Sequence, residues 1–270
     1  MPNINNKKSY FCSNMVKVIF FDIDGTLVSL KNHRMPESTH FALQRLREKG
    51  IKIVICSGRP MCLIDNLEGE AFDGYITVNG AICQIGDDIV YRHALPQSEV
   101  QNWINYSHGN NVDGCMITLD KVFINRVSPA AVQFFEILNF PLPPVKDFRE
   151  LSDTPIFQIV GLISKEQEKH AKAAMPGCTF KRWHPLFTDI IMGENNKSLG
   201  MRSMLKHMGI DRSDCMAFGD GNNDVEMLDY AGIGVAMGNS DDDVHAHADY
   251  VTTDCEDDGI LNALKHFKIL

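Results

Sequence analysis

Two aspartates, Asp22 and Asp24, interrupt the apolar run VIFFDIDGTLV at residues 18–28. Residues two apart in an extended strand share one face, so these carboxylates repel each other unless something neutralises them. Polar groups also gather behind other apolar runs. Ser57, Gly58 and Arg59 follow IKIVIC, and Asn79 and Gly80 follow GYITV. Gly219, Asp220, Gly221, Asn222, Asn223 and Asp224 end and follow CMAF, and Lys197 opens a helical pattern. The carboxylates of Asp22, Asp24, Asp220 and Asp224 are hard oxygen donors of the kind that suit Mg²⁺. Lys197, the Ser57 hydroxyl and the backbone N–H groups around 23–26 and 57–59 suit a phosphate. A carboxylate beside Mg²⁺ can attack phosphorus and form an aspartyl-phosphate. A second carboxylate two residues on can protonate the leaving oxygen and then activate water.

These groups meet only if the runs that carry them end side by side. Residues 16–21, VKVIFF, are nearly continuous in apolar side chains, as in a strand of a buried parallel sheet. Pro36 opens a helical stretch that runs through Lys49, and Gly50 ends it. Strands at 51–56 and 74–78, with a short helix after Pro60, continue the alternation. Strands alternating with helices predict an α/β fold, a doubly wound parallel sheet of Rossmann-like type. Ligands bind such sheets beyond the carboxyl ends of the strands, where each of the groups above falls.

From residue 81 the pattern changes. A hairpin at 81–92 is followed by a helix after Pro96, strands, a helix at 129–138 and the proline-rich stretch LPPVKDF. A strand at 156–163, a helix at 164–174 and strands at 179–183 and 187–192 follow. After Lys197 the first pattern returns, with a helix at 197–208, strands at 215–220 and 232–237, and a final helix at about 257–267. The expectation is a core built from residues 15–83 and 191–270, with an inserted α+β module at 84–190. Residues 1–14 form a loose N-terminal extension. At roughly 150 residues per domain, 270 residues accommodate this division.

The formal net charge of -9 argues against general nucleic-acid binding and means that an anionic substrate needs a local positive site. No apolar run reaches the length of a membrane span, and the polar first residues contain no signal-peptide stretch. None of the eight cysteines forms a C-x-x-C pair, and several sit inside apolar runs. Reduced core thiols of a cytoplasmic protein are therefore the expectation. Neither nucleic acid nor membrane is an expected partner, and the chain is expected to be a monomer or weak homo-oligomer.

The runs FFDIDGTLV, CSGRP, VNGA, the K-x-x-G from Lys197 to Gly200, and FGDGNNDVEML resemble, in order, the motifs of the haloacid dehalogenase-like (HAD) phosphatases. The insert resembles the type IIB α/β cap, and VNGA and GDGNND resemble the Cof-type branch. ALPQSEV, RWHPLFTDI and DYVTTD are similar to bacterial hexose-phosphate phosphatases of that branch. The resemblance implies a Mg²⁺-dependent phosphomonoester hydrolase for small phosphorylated metabolites, sugar phosphates favoured, with a cap that closes over the substrate. It makes Asp22 the nucleophile and Asp24 the general acid/base. Mg²⁺ would take the Asp22 carboxylate, the Asp24 backbone carbonyl and the Asp220 carboxylate. Ser57 and Lys197 would bind the transferring phosphoryl group, with Gly25, Thr26, Gly58, Asn223 and Asp224 around phosphate or metal. Many members have Thr at the position of Ser57, where either hydroxyl can donate. The residues GENN before Lys197 depart from the commonest form.

Other readings compete. A phosphotransferase or mutase would share the motifs and the insert. A receiver-type signalling domain uses similar residues but lacks the acid at +2 and the large insert. A calcium loop starting at Asp220 fails, because its sixth and twelfth positions hold Val225 and Ala231 instead of Gly and Glu. His245 and His247, two apart, do not share a helix face. Arg59 reads equally as a substrate contact or a tie between loops, and Asn79 as a turn residue or a contact near the site. Arg182, Trp183 and His184 are the insert's candidates for sugar binding, with packing as the competing role.

Overall fold

The computed structural model describes residues 16–270; the extension expected at 1–14 lies outside the described residues. In chain order the elements are β1 (Val18–Phe21), α1 (Glu37–Glu48), β2 (Lys52–Cys56), β3 (Gly74–Thr77), β4 (Ile82–Ile85) and β5 (Asp88–Arg92). Then come α2 (Gln97–Gly109), β6 (Asp113–Ile117), β7 (Val122–Ile124), α3 (Pro129–Ile137), β8 (Gln158–Leu162), α4 (Lys165–Ala174), β9 (Cys178–His184) and β10 (Phe187–Met192). The last are α5 (Lys197–Met208), β11 (Cys215–Gly219), α6 (Val225–Tyr230), β12 (Ile233–Ala236), α7 (Asp242–His245), β13 (Tyr250–Val251) and α8 (Gly259–His266). The chain forms two compact units. One takes the chain to Gly58, Asn66–Tyr91 and Asn196–Leu270; the other takes Arg59–Asp65 and Arg92–Asn195.

The first unit is a doubly wound α/β sheet in the order β13-β12-β11-β1-β2-β3-β4-β5. The four residues of β1 are fully buried, because the strand is hydrogen-bonded in parallel to β11 on one side and β2 on the other. Val18 and Phe20 pack with Val54, Met201, Met204 and Ala217, while Phe21 stacks on Phe218 with ring centroids 5.0 Å apart. The methionine-rich MRSMLKHM stretch thus supplies core filler, where an unbranched side chain fits irregular gaps. Chain order reverses between β1 and β11, which makes their carboxyl ends the switch point where open sheets bind ligands.

The hairpin at residues 81–92 extends this sheet, so the boundaries fall at 91/92 and 195/196 instead of the expected 83/84 and 190/191, and Arg59–Asp65 groups with the second unit. β4 pairs antiparallel with β3, and Cys83 joins the core cluster under the sheet. Alternation along a hairpin reveals a strand but not which sheet it extends. The short helix expected after Pro60 is a single 3₁₀ turn, Met61–Leu63.

The second unit is an antiparallel sheet in the order β7-β6-β8-β10-β9. Its core centres on Trp103 of α2, which is fully buried among Val100, Met116, Ile159 and Ile190. Gly114 and Gly161 make room for the indole, since a Cβ at either would stand 2.8 or 3.0 Å from its ring atoms. The two ends of this unit are stitched together. His93 Nδ1 lies 2.9 Å from Asn195 Oδ1, and Asn195 Nδ2 donates to the His93 carbonyl at 3.2 Å. Among the described residues, no helix is long and apolar enough to cross a membrane.

Trp103→Ala empties the centre of the second unit. Unfolding free energy is expected to fall by about 3–5 kcal/mol in a denaturant titration. A loss below about 1 kcal/mol would contradict the indole's place as the packing centre.

Candidate active site

A fully buried ammonium organises the site. Asn196 caps α5, its side chain accepting from the Leu199 N–H at 2.9 Å. The next residue, Lys197, enters the sheet's carboxyl edge with no exposed surface. Its Nζ donates to Asp22 Oδ1 at 2.6 Å and to Asp224 Oδ1 at 2.5 Å. The second oxygen of Asp224 accepts the backbone N–H groups of Asp220 and Gly221 at 3.0 and 2.9 Å. Asp224 is therefore occupied on both oxygens, and it shapes the turn that presents Asp220.

Asp220 receives the Thr26 hydroxyl at 2.7 Å. The loop after β1 passes so close that a Cβ at Gly25 would stand 2.1 Å from Asp220 Oδ2, and Gly25 has a φ of +86°. Only glycine meets both conditions. The backbone N–H of Asp22 donates to the Phe218 carbonyl at 3.0 Å, locking the ends of β1 and β11 together. Asp24 lies in the tight turn that follows, bridged to Val28 and partly exposed.

Oxygens of Asp22, Asp220 and Asp224 lie within 4.8 Å of one another. Three carboxylates face one ammonium. Burial pushes the Asp22 carboxyl well above the usual carboxylate range; Lys197 opposes this, and Asp224 and Asp220 add to it. Burial, then the charge of Asp224, pushes Asp220 up to about 7. Burial by itself would lower Lys197, but Asp22 and Asp224 outweigh it and hold the ammonium charged. An all-oxygen donor set with surplus negative charge fits a hard divalent cation such as Mg²⁺.

The structure also brings Ser57, Gly58, Asn79 and Asn223 together in the first unit. Ser57 is buried, and its carbonyl accepts the Asn79 N–H at 3.2 Å. Asn223 Nδ2 donates to Asn79 Oδ1 at 3.2 Å. Arg59, Arg182 and His184 belong to the second unit and have structural partners there. Arg59 donates to the Leu63 carbonyl at 3.0 Å and lies 4.7 Å over the Phe140 ring. Arg182 donates to Glu168 at 2.6 Å and to the carbonyls of Ile163, His184, Pro185 and Phe187. It clamps the β9–β10 turn, a packing role that a charge count along the sequence does not reveal. His184 accepts from the Leu186 N–H and stacks on Phe187. The Trp183 side chain lies outside the described residues.

Two supports of the site escaped the sequence reading. Asn239 donates to the Gly25 carbonyl at 2.9 Å and accepts the Cys255 N–H at 2.9 Å. The Cys255 thiol lies 3.1 Å from the Thr26 carbonyl. A signal was present: Asn239 follows β12, and the polar residues behind that strand merit the same attention as those behind its neighbours.

A profile for haloacid dehalogenase-like hydrolases matches residues 19–264. Among solved structures, the HAD subclass IIB sugar phosphatase BT4131 is similar at a TM-score of 0.85 and 39% identity, covering 94% of this chain and 100% of its own. BT1666 from Bacteroides thetaiotaomicron, described among phosphatases of the HAD superfamily, gives 0.86 and 34% identity over 96% and 97%. The 5-amino-6-(5-phospho-D-ribitylamino)uracil phosphatase YitU of Bacillus subtilis is 28% identical over 266 residues, 93% of this chain and 97% of its own.

Asp220 supplies a test of the charge surplus. Its ordinary value is 3.8, and folding without metal raises it to about 7. Between those values the folded state holds a proton that the unfolded state has released, so this group's contribution makes stability fall as pH rises through the window. Asp220→Asn cannot ionise. Thermal melts without metal should show the variant gaining on the wild type from about pH 4 to 8. Mg²⁺ should raise the melting temperature of the wild type and not of the variant. Parallel pH profiles would refute the surplus.

Proposed function

The chain belongs to the haloacid dehalogenase-like hydrolase family and is a phosphatase of that kind; from this premise we propose that it hydrolyses small sugar phosphates by way of an aspartyl-phosphate on Asp22. The observation that carries the proposal is the Asp22 carboxylate at the end of β1, fixed through Oδ1 by the buried Lys197 ammonium. The fixed orientation favours attack, because the nucleophile does not lose rotational freedom at the moment of reaction.

A carboxylate oxygen of Asp22 attacks phosphorus. The new O–P bond forms as the ester O–P bond breaks, and Asp24 gives its proton to the departing alkoxide. Asp24 then takes a proton from water as that water attacks the phosphorus, releasing inorganic phosphate and restoring Asp22. Lys197 supplies positive charge at the reacting centre, where fixed charge outweighs other contributions to phosphoryl transfer. Ser57 and Asn223 orient the phosphoryl oxygens. Asp22 and Asp220 would hold the divalent ion, while Asp224, engaged by Lys197 and two backbone N–H groups, sets their spacing. When bound, Mg²⁺ offsets the repulsion between the Asp22 carboxylate and the phosphate dianion. The preference for sugar phosphates is supported by the likeness to BT4131, a sugar phosphatase.

Purified protein with Mg²⁺ should release phosphate from hexose and pentose phosphates with higher kcat/KM than from nucleotides. The reverse order would overturn the sugar preference. Asp22→Asn should retain the fold, since Lys197 keeps Asp224, and should lose about 10⁴-fold or more in turnover. Near-normal turnover would remove Asp22 as nucleophile. Asp24→Asn should slow turnover by about 10²–10⁴-fold. If the second step then limits, acid-quenched samples should show accumulated phosphoprotein; an unchanged rate would remove Asp24 from its role.

A further inference from the structure

One strained element beside the site has no part in that chemistry. Val78, Asn79 and Gly80 have φ values of 52°, 51° and 90° in succession. Glycine adopts this region readily and asparagine tolerates it, but a β-branched valine there is an outlier. Val78 is also fully buried. Such a conformation persists only where its surroundings over-determine it, and such places cluster at functional sites.

Three segments hold the turn. The Asn79 N–H donates to the Ser57 carbonyl at 3.2 Å. Asn79 Oδ1 accepts from Asn223 at 3.2 Å and would lie 3.0 Å from a Cβ on Gly58. A Cβ on Gly80 would stand 2.0 Å from the Asn196 carbonyl, and one on Gly200 would stand 3.1 Å from the Gly80 Cα. Those contacts seat the first turn of α5, which carries Lys197. A single three-residue turn thus touches the segments that deliver Ser57, Lys197 and Asn223.

We propose that this left-handed turn sets the spacing of the phosphate-handling groups, and that Asn79 is a positioning residue. Its N–H holds the Ser57 segment and its amide oxygen holds Asn223. The identity of the ligand rests on the phosphatase reading; the geometry does not. A residue that merely permits the turn would be replaceable by glycine, which suits a positive φ better than asparagine. A residue that positions Asn223 would not be, because glycine has no side-chain amide.

Asn79→Gly, Asn223→Ala and the double variant separate these roles. The probe is inorganic phosphate, titrated calorimetrically into Mg²⁺-loaded protein, with ester turnover measured in parallel. Asn79→Gly should melt within about 3 °C of the wild type and bind phosphate about 5- to 10-fold more weakly. On the Asn223→Ala background the same change should cost less than about twofold. Unchanged phosphate affinity in Asn79→Gly, or an undiminished effect on the Asn223→Ala background, would overturn the proposal. So would a large drop in melting temperature, which would leave Asn79 a structural role alone. A wild type that binds phosphate but hydrolyses no ester overturns the phosphatase reading, and the affinities still judge Asn79. A wild type that binds no phosphate overturns the proposal for Asn79, and one that also hydrolyses no ester overturns the phosphatase reading as well.

Discussion

The Lys197 ammonium, buried between the carboxylates of Asp22 and Asp224, is the constraint on which the rest of the site depends. Removing charges from water is costly, and a buried pair seldom repays the cost in stability. Here the gain is positional. The lysine fixes one oxygen of Asp22, and through Asp224 it fixes the turn that presents Asp220. Three segments distant in sequence are thereby registered to within hydrogen-bond distances. The same arrangement leaves more negative than positive charge, which suits the cluster to a divalent cation.

Close backbone approach is the second condition. The loop after β1 reaches Asp220 only because Gly25 has no side chain, and α5 reaches the turn at residues 78–80 only because Gly80 and Gly200 have none. Asn239 and Cys255 brace the Gly25 and Thr26 carbonyls from behind. The chemistry-bearing groups are few, but each is held by several residues whose function is to leave space or to supply a single hydrogen bond.

In the second unit, side chains that look like binding groups also have partners within the fold. Arg182 spends its donors on one carboxylate and four carbonyls, and Arg59 sits over an aromatic ring within its own unit. A guanidinium near a turn has the same sequence signature whether it meets a ligand or several backbone oxygens. Only the positions of those oxygens distinguish the two.

The alternation of strands and helices, the polar groups at strand ends and the insert between two like-patterned segments were legible in the sequence. Each is a local consequence of periodicity and of residue chemistry. Tertiary structure alone decided that the hairpin at residues 81–92 extends the first sheet, that Asp224 is occupied on both oxygens, and that Val78 joins a left-handed turn. The physical reason is that these outcomes depend on groups far apart in the chain. Strand pairing, the environment of a buried charge and a conformation imposed by packing are set by neighbours that folding brings together.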